Sequence, residues 1–184
     1  MKNAVILIAE GFEEVEAVTI IDTLRRGGVD IKSASITGNK TVAGAHGIPI
    51  VCDELFDKKA VLSRDILVLP GGMPGTTNLG NSKDVIDAIN AFRADGKLIS
   101  AICAAPMIFG QMGLVNGLCA TIYPGMEGYL KGAKLNPGNV TEYDGNILTG
   151  KGPGLALDFA LRLLELASDK KTAQNVGAGM LKKY

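Results

Sequence analysis

Residues 98 to 106, Leu-Ile-Ser-Ala-Ile-Cys-Ala-Ala-Pro, hold the pattern that decides the fold. The stretch opens as a short apolar run, which is typical of a buried strand. It closes on small residues and Pro106, and proline is best tolerated in the first turn of a helix. Cys103 is therefore predicted at a tight corner between a strand and a helix. Such a corner presents its central side chain over the sheet edge, with helix N–H groups pointing at it.

Cys103 has two interpretations at this stage. A cysteine at a helix N-terminus is a candidate nucleophile, because the N–H groups stabilise the thiolate and lower the pKa of the thiol. Alternatively, Cys103 is simply a small buried apolar residue, which is common for a free cysteine. The stretch alone leaves both open.

Apolar strands alternate with helical patterns along the rest of the chain. Near-continuous apolar strands between helices indicate an α/β fold, with a mostly parallel central sheet covered by helices on both faces. The length of 184 residues predicts one domain, 1–184. Strands are predicted at Ala4–Ala9, Asp30–Ile36, Ile66–Leu69, Leu118–Ile122, Val140–Tyr143 and Ile147–Thr149, with a small β-hairpin at Thr41–Ala43 and Ile48–Val51. Helices are predicted at Glu13–Arg26, Ser82–Ala94, Leu155–Ala167 and Lys170–Val176, and after Pro106.

Composition argues against several classes of protein. The chain has 19 basic and 19 acidic residues, and a net charge of zero gives no electrostatic case for nucleic acid or a membrane surface. No apolar run approaches the roughly 20 residues of a membrane span, and Ala4–Ala9 is too short for a signal sequence. A cytoplasmic protein is the simplest expectation. The three cysteines lack the spacing of a zinc site or a disulfide framework, so no metal is expected.

Two glycine-rich segments are similar to cofactor loops but depart from them. Pro70–Gly75 lacks the GxGxxG spacing of dinucleotide-binding proteins. Gly145–Gly152 nearly matches a P-loop, but a glycine replaces the Ser or Thr that binds magnesium. We therefore expect no cofactor. Pro70–Gly75 is either a flexible turn or a segment whose N–H groups, with that of Ala104, form an oxyanion hole.

Glu16 is the second informative residue. It shares a helix face with the apolar Ile20 and Leu24, so it is predicted to face the core, where a carboxyl group is rarely left without a partner. Burial can keep such an acid protonated, so that it donates a hydrogen bond to a thiolate. Glu13 and Glu14 are expected only to favour the positive end of the helix. His46, the one histidine of the chain, is predicted in the hairpin and interpreted as solvated surface.

Four motifs occur together in the order and spacing of one family: residues 13–16, 68–72, 101–104 and 148–154. They resemble the DJ-1/ThiJ/PfpI family, the family of the Parkinson-disease protein deglycase, over essentially the whole chain. The early Glu-Glu-x-Glu motif is most similar to the DJ-1-like branch with the bacterial ThiJ proteins. The resemblance implies a flavodoxin-like three-layer sandwich and a homodimer.

The same resemblance implies roles for individual residues. It implies that Cys103 is the reactive cysteine and Glu16 the acid hydrogen-bonded to it. It implies that Gly72 and Ala104 are the backbone donors. The pocket would be lined by Gly71, Tyr123 and Pro153.

Two positions depart from the family pattern. Tyr123 stands where the family usually has a histidine, and a tyrosine with its pKa near 10 is a poor base at neutral pH. His46-Gly47 stands where the family has a basic residue, which weakens the case for an anionic substrate.

The resemblance implies a cysteine enzyme that adds its thiolate to a small 2-oxoaldehyde or a glycated group, with Glu16 moving the proton. An alternative is a redox sensor, in which Cys103 is oxidised and a partner protein responds. A protease or amidotransferase is less favoured, because the histidine is missing.

Overall fold

The computed structural model describes residues 2–136 and 138–182; Met1, Pro137, Lys183 and Tyr184 lie outside the described residues. A central sheet forms the middle of the molecule, and two small two-stranded sheets lie outside it. The strands of these sheets are β1 (Ala4–Ile8), β2 (Ile31–Ser35), β3 (Thr41–Ala43), β4 (Pro49–Val51), β5 (Glu54–Leu55), β6 (Ile66–Leu69), β7 (Leu98–Ile102), β8 (Cys119–Ala120), β9 (Lys134–Leu135), β10 (Thr141–Asp144) and β11 (Ile147–Gly150).

The central sheet runs in the order β10, β11, β7, β6, β1, β2, β5. Its neighbouring strands are parallel except for β10 and β11, which form an antiparallel hairpin at one edge. The predicted small hairpin is β3 with β4. Because β1, β6 and β7 are adjacent and parallel, their carboxyl ends meet at one edge of the sheet, where ligands bind in such folds.

Helices cover both faces of the central sheet. They are α1 (Glu14–Arg26), α2 (Lys58–Leu62), α3 (Gly75–Asn81), α4 (Lys83–Ala94), α5 (Pro106–Gln111), α6 (Ala156–Ala167) and α7 (Lys170–Gly179), with 3₁₀ turns at Glu127–Tyr129 and Pro153–Leu155. Alternate residues of β1 point to opposite sides. Ile6 belongs to the apolar core that includes residues of α1, α6 and α7, and Leu7 belongs to the core that includes residues of α2, α3, α4 and α5. The architecture is the predicted flavodoxin-like three-layer sandwich.

Local signals explain several element boundaries. Ser82 caps α4 by accepting a hydrogen bond from the N–H of Val85. Pro106 occupies the first turn of α5, as predicted. No helix among the described residues is long and apolar enough to cross a membrane.

Some elements differ from the prediction. The strand predicted at Leu118–Ile122 shortens to β8, and α7 continues to Gly179. Four short elements, β5, α2, α3 and β9, have no clear periodic pattern of apolar residues in their sequences. The helix α3 has the polar, glycine-containing sequence GTTNLGN and buries only Gly75, Thr76 and Leu79. Contacts with the rest of the fold therefore decide these elements, because local propensity is too weak to do so.

Candidate active site

Cys103 lies at the predicted corner, between the end of β7 and the start of α5. Its φ is +62°, in the left-handed region that residues other than glycine rarely adopt. Two long-range hydrogen bonds hold this conformation: the N–H of Cys103 donates to the carbonyl of Gly150 at 3.0 Å, and its carbonyl accepts from the N–H of Tyr123 at 2.9 Å. A strained residue at a sheet edge, fixed by its surroundings, is typical of a functional site.

Glu16 approaches Cys103 from the first turn of α1. Its side chain is fully buried, as its position on the apolar face predicted. One carboxyl oxygen, Oε2, accepts a hydrogen bond from the N–H of Gly71 at 2.8 Å, and the carboxyl group also interacts with the Cys103 thiol. Burial raises the pKa of Glu16 to about 7, against the lowering effect of these two partners. Near neutral pH, this acid therefore exists in both protonation states.

The thiol of Cys103 does not have the lowered pKa that the helix N-terminus predicted. Burial, and next the negative charge of Glu16, raise the pKa of Cys103 to about 12. The N–H groups of Ala104 and Gly72 act in the expected direction but are outweighed. The prediction is thus wrong for the state with ionised Glu16. When Glu16 holds the proton, the opposing charge is gone, so the two groups titrate as a pair that shares a proton.

The loop after β6 packs directly on this pair. A Cβ atom at Gly71 would lie 2.5 Å from Cβ of Cys103 and 2.8 Å from Oε2 of Glu16, so only glycine fits there. Gly72 has a φ of +90°, which also favours glycine. The N–H groups of Gly72 and Ala104 both interact with the Cys103 sulfur. In this loop, the N–H of Gly71 faces the acid and that of Gly72 faces the sulfur.

Tyr123 lies next to the corner and contacts the segment that leads to Pro153. The Tyr123 side chain is half-exposed, and its ring lies 3.2 Å from where a Cβ atom of Gly152 would stand. Pro153 follows at once and opens the 3₁₀ turn that leads to α6. Since the N–H of Tyr123 bonds to Cys103, the fold brings residues from five separate segments to one place: Glu16, Gly71, Cys103, Tyr123 and Gly152.

Comparison with known proteins assigns this constellation to a family. The model of the DJ-1/PfpI family matches residues 2–166. The chain belongs to the DJ-1/PfpI family. The Drosophila melanogaster protein dj-1beta is 35% identical over 185 residues, which covers 100% of this chain and 98% of that protein.

Other DJ-1/PfpI relatives extend the comparison. A Caenorhabditis elegans protein named glutathione-independent glyoxalase DJR-1.2 is 33% identical over 174 residues, covering 93% of this chain and 92% of that protein. A solved structure of oxidised DJ-1 from Toxoplasma gondii is similar, with a TM-score of 0.93 at 33% identity and full coverage of both chains.

One feature of this DJ-1/PfpI chain escaped the sequence reasoning. Glu14 is buried, and its Oε1 accepts hydrogen bonds from the N–H groups of His46 at 2.7 Å and Ile48 at 3.3 Å. The His46 ring donates from Nδ1 to Oε2 of Glu14 at 2.9 Å. Glu14 therefore attaches the β3–β4 hairpin to α1, and the interpretations of Glu14 as a dipole residue and His46 as solvated surface were incomplete. A separation of 32 residues leaves no local signal for this contact.

The other two cysteines lie away from the corner. Cys52 is buried among apolar residues, and burial raises its pKa to about 11. Cys119 is half-buried, and its N–H donates to the carboxylate of Asp144. Asp158 faces the tail of the chain, where it pairs with Lys182.

Proposed function

We propose that this protein is a cysteine-dependent enzyme that converts small 2-oxoaldehydes, such as methylglyoxal, to 2-hydroxy acids. The observation that carries the proposal is the close placement of the Cys103 sulfur and the buried carboxyl group of Glu16 against Gly71, where an added Cβ atom would lie 3.1 Å from the sulfur and 2.8 Å from Oε2. A nucleophile next to an acid–base group is the minimum for this chemistry. The name of the Caenorhabditis elegans relative, a glutathione-independent glyoxalase, supports the same class of reaction.

In the first step, the Cys103 sulfur bonds to the aldehyde carbon, and the aldehyde oxygen takes a proton to give a hemithioacetal. Protonated Glu16 is positioned to give the proton that the thiol has lost. Gly72 and Ala104 donate N–H groups near the sulfur, and these can also face the developing oxyanion.

In the second step, Glu16 as carboxylate removes the proton from the former aldehyde carbon and delivers it to the neighbouring carbonyl carbon through an enediol. The product is a thioester of a 2-hydroxy acid. Water then cleaves the carbon–sulfur bond, releases the acid and returns the thiol, so that the net reaction adds one water to the oxoaldehyde. The same thiolate addition would serve glycated thiols or amines.

The first experiment measures kcat/KM on methylglyoxal for the wild type, Cys103→Ser and Glu16→Gln. We expect both variants to lose activity by orders of magnitude, because one removes the nucleophile and the other the proton carrier. The matched control is Glu127→Gln, an exposed carboxylate of the 3₁₀ turn at Glu127–Tyr129, which should leave the rate unchanged. Wild-type activity in Glu16→Gln would remove the proposed mechanism.

Tyr123 variants test whether the missing histidine limits the rate. Tyr123→Phe removes only a hydroxyl, so a loss of up to roughly tenfold, about one hydrogen bond, would mean that this group orients the substrate. Tyr123→His restores the usual family residue and should raise kcat/KM if a base is lacking. Equal kcat/KM values for the wild type, Tyr123→Phe and Tyr123→His would mean that Tyr123 only lines the pocket.

The second candidate is a redox sensor. A solved DJ-1 structure is described as oxidised, and the donors around the Cys103 sulfur suit a sulfinate as well as an oxyanion. Two equivalents of peroxide would convert the thiol to a sulfinate and be reduced to water. Mass spectrometry after mild peroxide distinguishes the candidates: stoichiometric sulfinate at Cys103 in a protein inactive on aldehydes would favour the sensor. Protease or amidotransferase activity is less favoured, because Tyr123 replaces the histidine base.

A further inference from the structure

Two carboxylates and one imidazole meet where α1 begins and the β3–β4 hairpin folds over it. We propose that Glu13, Glu14 and His46 form a binding site for a divalent cation of the zinc class. One ligand atom from each residue lies within 4.8 Å of the others. The sequence predicted no metal from the spacing of its cysteines, and His46 lies more than 30 positions from the two glutamates, so no local motif marks this cluster.

The distances in this cluster suit a small ion. Nδ1 of His46 lies 2.9 Å from Oε2 of Glu14 and 3.7 Å from Oε2 of Glu13. In a tetrahedral zinc site with bonds of 2.0–2.1 Å, neighbouring ligand atoms are about 3.3 Å apart. The two distances to the imidazole lie on either side of that value, within roughly 0.4 Å of it, and the ligand atoms of the two carboxylates lie within 4.8 Å of each other.

The surrounding backbone orients one of the ligands. Oε1 of Glu14 is held by the N–H groups of His46 and Ile48, which leaves Oε2 directed at the imidazole. A Cβ atom at Gly44 would lie 2.3 Å from Cδ of Glu14, so the hairpin closes on this carboxylate only because glycine stands there. Second-shell contacts of this kind fix metal ligands in place.

The charges of the cluster suit a cation. The Glu13 and Glu14 side chains are only 12% and 7% exposed, and among the described residues their ion-pair partner is His46 alone. Glu13 makes no side-chain hydrogen bond within the described part of the chain, although its carboxylate is largely buried. With a neutral imidazole, the cluster carries two negative charges, which a divalent ion would neutralise. The partial positive charge at the start of α1 is too small to do so.

Solvent can complete the coordination. The His46 side chain is 68% exposed in the single chain, so the remaining positions of the ion would be open to water or to a group of a second copy docked on this face. Imidazole with carboxylate oxygens suits Zn²⁺ and its neighbours better than Mg²⁺, which prefers oxygen ligands alone.

The test uses untagged full-length protein titrated with ZnCl₂. His46 is the one histidine of the sequence, so its imidazole nitrogens give a single assignable set of NMR signals. We expect one equivalent of Zn²⁺ to shift these signals, in the wild type and equally in Cys103→Ser, which lacks the active-site thiol. Co²⁺ should give a matching visible absorption band.

Calorimetry on variants decides whether the cluster is the site. Glu13→Gln and His46→Gln should each weaken Zn²⁺ binding at least tenfold, and Glu127→Gln should not. Glu14→Gln is set aside as the main test, because this residue also holds the hairpin. Unchanged His46 signals, unchanged affinity in Glu13→Gln, or loss of binding in Cys103→Ser would each overturn the proposal; the first would make His46 only a counter-ion.

Discussion

The carboxyl group of Glu16 has no access to solvent, and burial raises its pKa to about 7 from 4.5. A raised pKa means that the folded protein binds this proton more tightly than the unfolded chain does. The stabilisation is full below pH 4.5 and is lost as the pH rises through 7. Glu16→Gln should remove this loss, so at pH 8 the variant should be more stable than the wild type by at most about 3 kcal/mol. Urea unfolding of both proteins at pH 5 and pH 8 measures this difference in stability. The same dependence of stability on pH in the wild type and in Glu16→Gln would contradict the raised pKa of Glu16.

At the same scale, Gly71 leaves no room for a side chain between the acid and the nucleophile. Gly71→Ala would place a methyl group 2.5 Å from Cβ of Cys103, so the loop or the corner must move. We expect a large loss of methylglyoxal turnover and slower alkylation of Cys103 by iodoacetamide. Gly128→Ala is the matched control, because nothing lies within 4 Å of its added Cβ. Wild-type rates in Gly71→Ala would mean that the loop is free to shift.

At the scale of elements, the β3–β4 hairpin depends on the contact of His46 with α1. The hydrogen bond to Glu14, and then the charge of Glu13, raise the pKa of His46, so the charged contact is complete below the ordinary pKa of 6.5. It weakens as the pH rises through the raised value. In the presence of a chelator, amide exchange in residues 41–51 should therefore speed up at alkaline pH beyond its intrinsic increase.

His46→Gln is the control for this prediction. It should exchange fast at all pH values after the intrinsic correction, while the amides of β7 stay protected in both proteins. The carboxylate partner does not limit the effect, because burial is outweighed at Glu14 by its hydrogen bonds, which lower its pKa to about 2. A wild-type hairpin with no residual pH dependence would contradict the contact.

At the scale of the whole molecule, an apolar face spans α1 and the hairpin. Val15, Val18, Ile48 and Val51 are between 50% and 74% exposed, and such neighbouring residues mark an interface. We propose that two copies of the chain associate through this face. Val51→Glu should yield monomers by light scattering at micromolar concentration, whereas Leu135→Glu, exposed on β9, should not. A monomeric wild type would exclude this dimer.

The sequence by itself determined the layers and the corner. Apolar strands alternate with amphipathic helices along the chain. A parallel sheet with helices on both faces buries the strands and the apolar faces of the helices together. Local rules likewise placed Cys103 before Pro106, and Glu16 on the buried face of α1, because helix period and proline position are properties of neighbouring residues.

Only the tertiary structure decided how these residues affect each other. The pKa of Cys103 depends on burial and on a carboxylate 87 positions earlier in the chain, and these outweigh the local helix N-terminus. The contact of Glu14 with His46 joins two elements that carry no local sign of each other. Short elements such as α3 also form through packing, since their own sequences favour no structure strongly. Electrostatic and packing energies depend on distance in space, and a pattern in one stretch of sequence does not contain that distance.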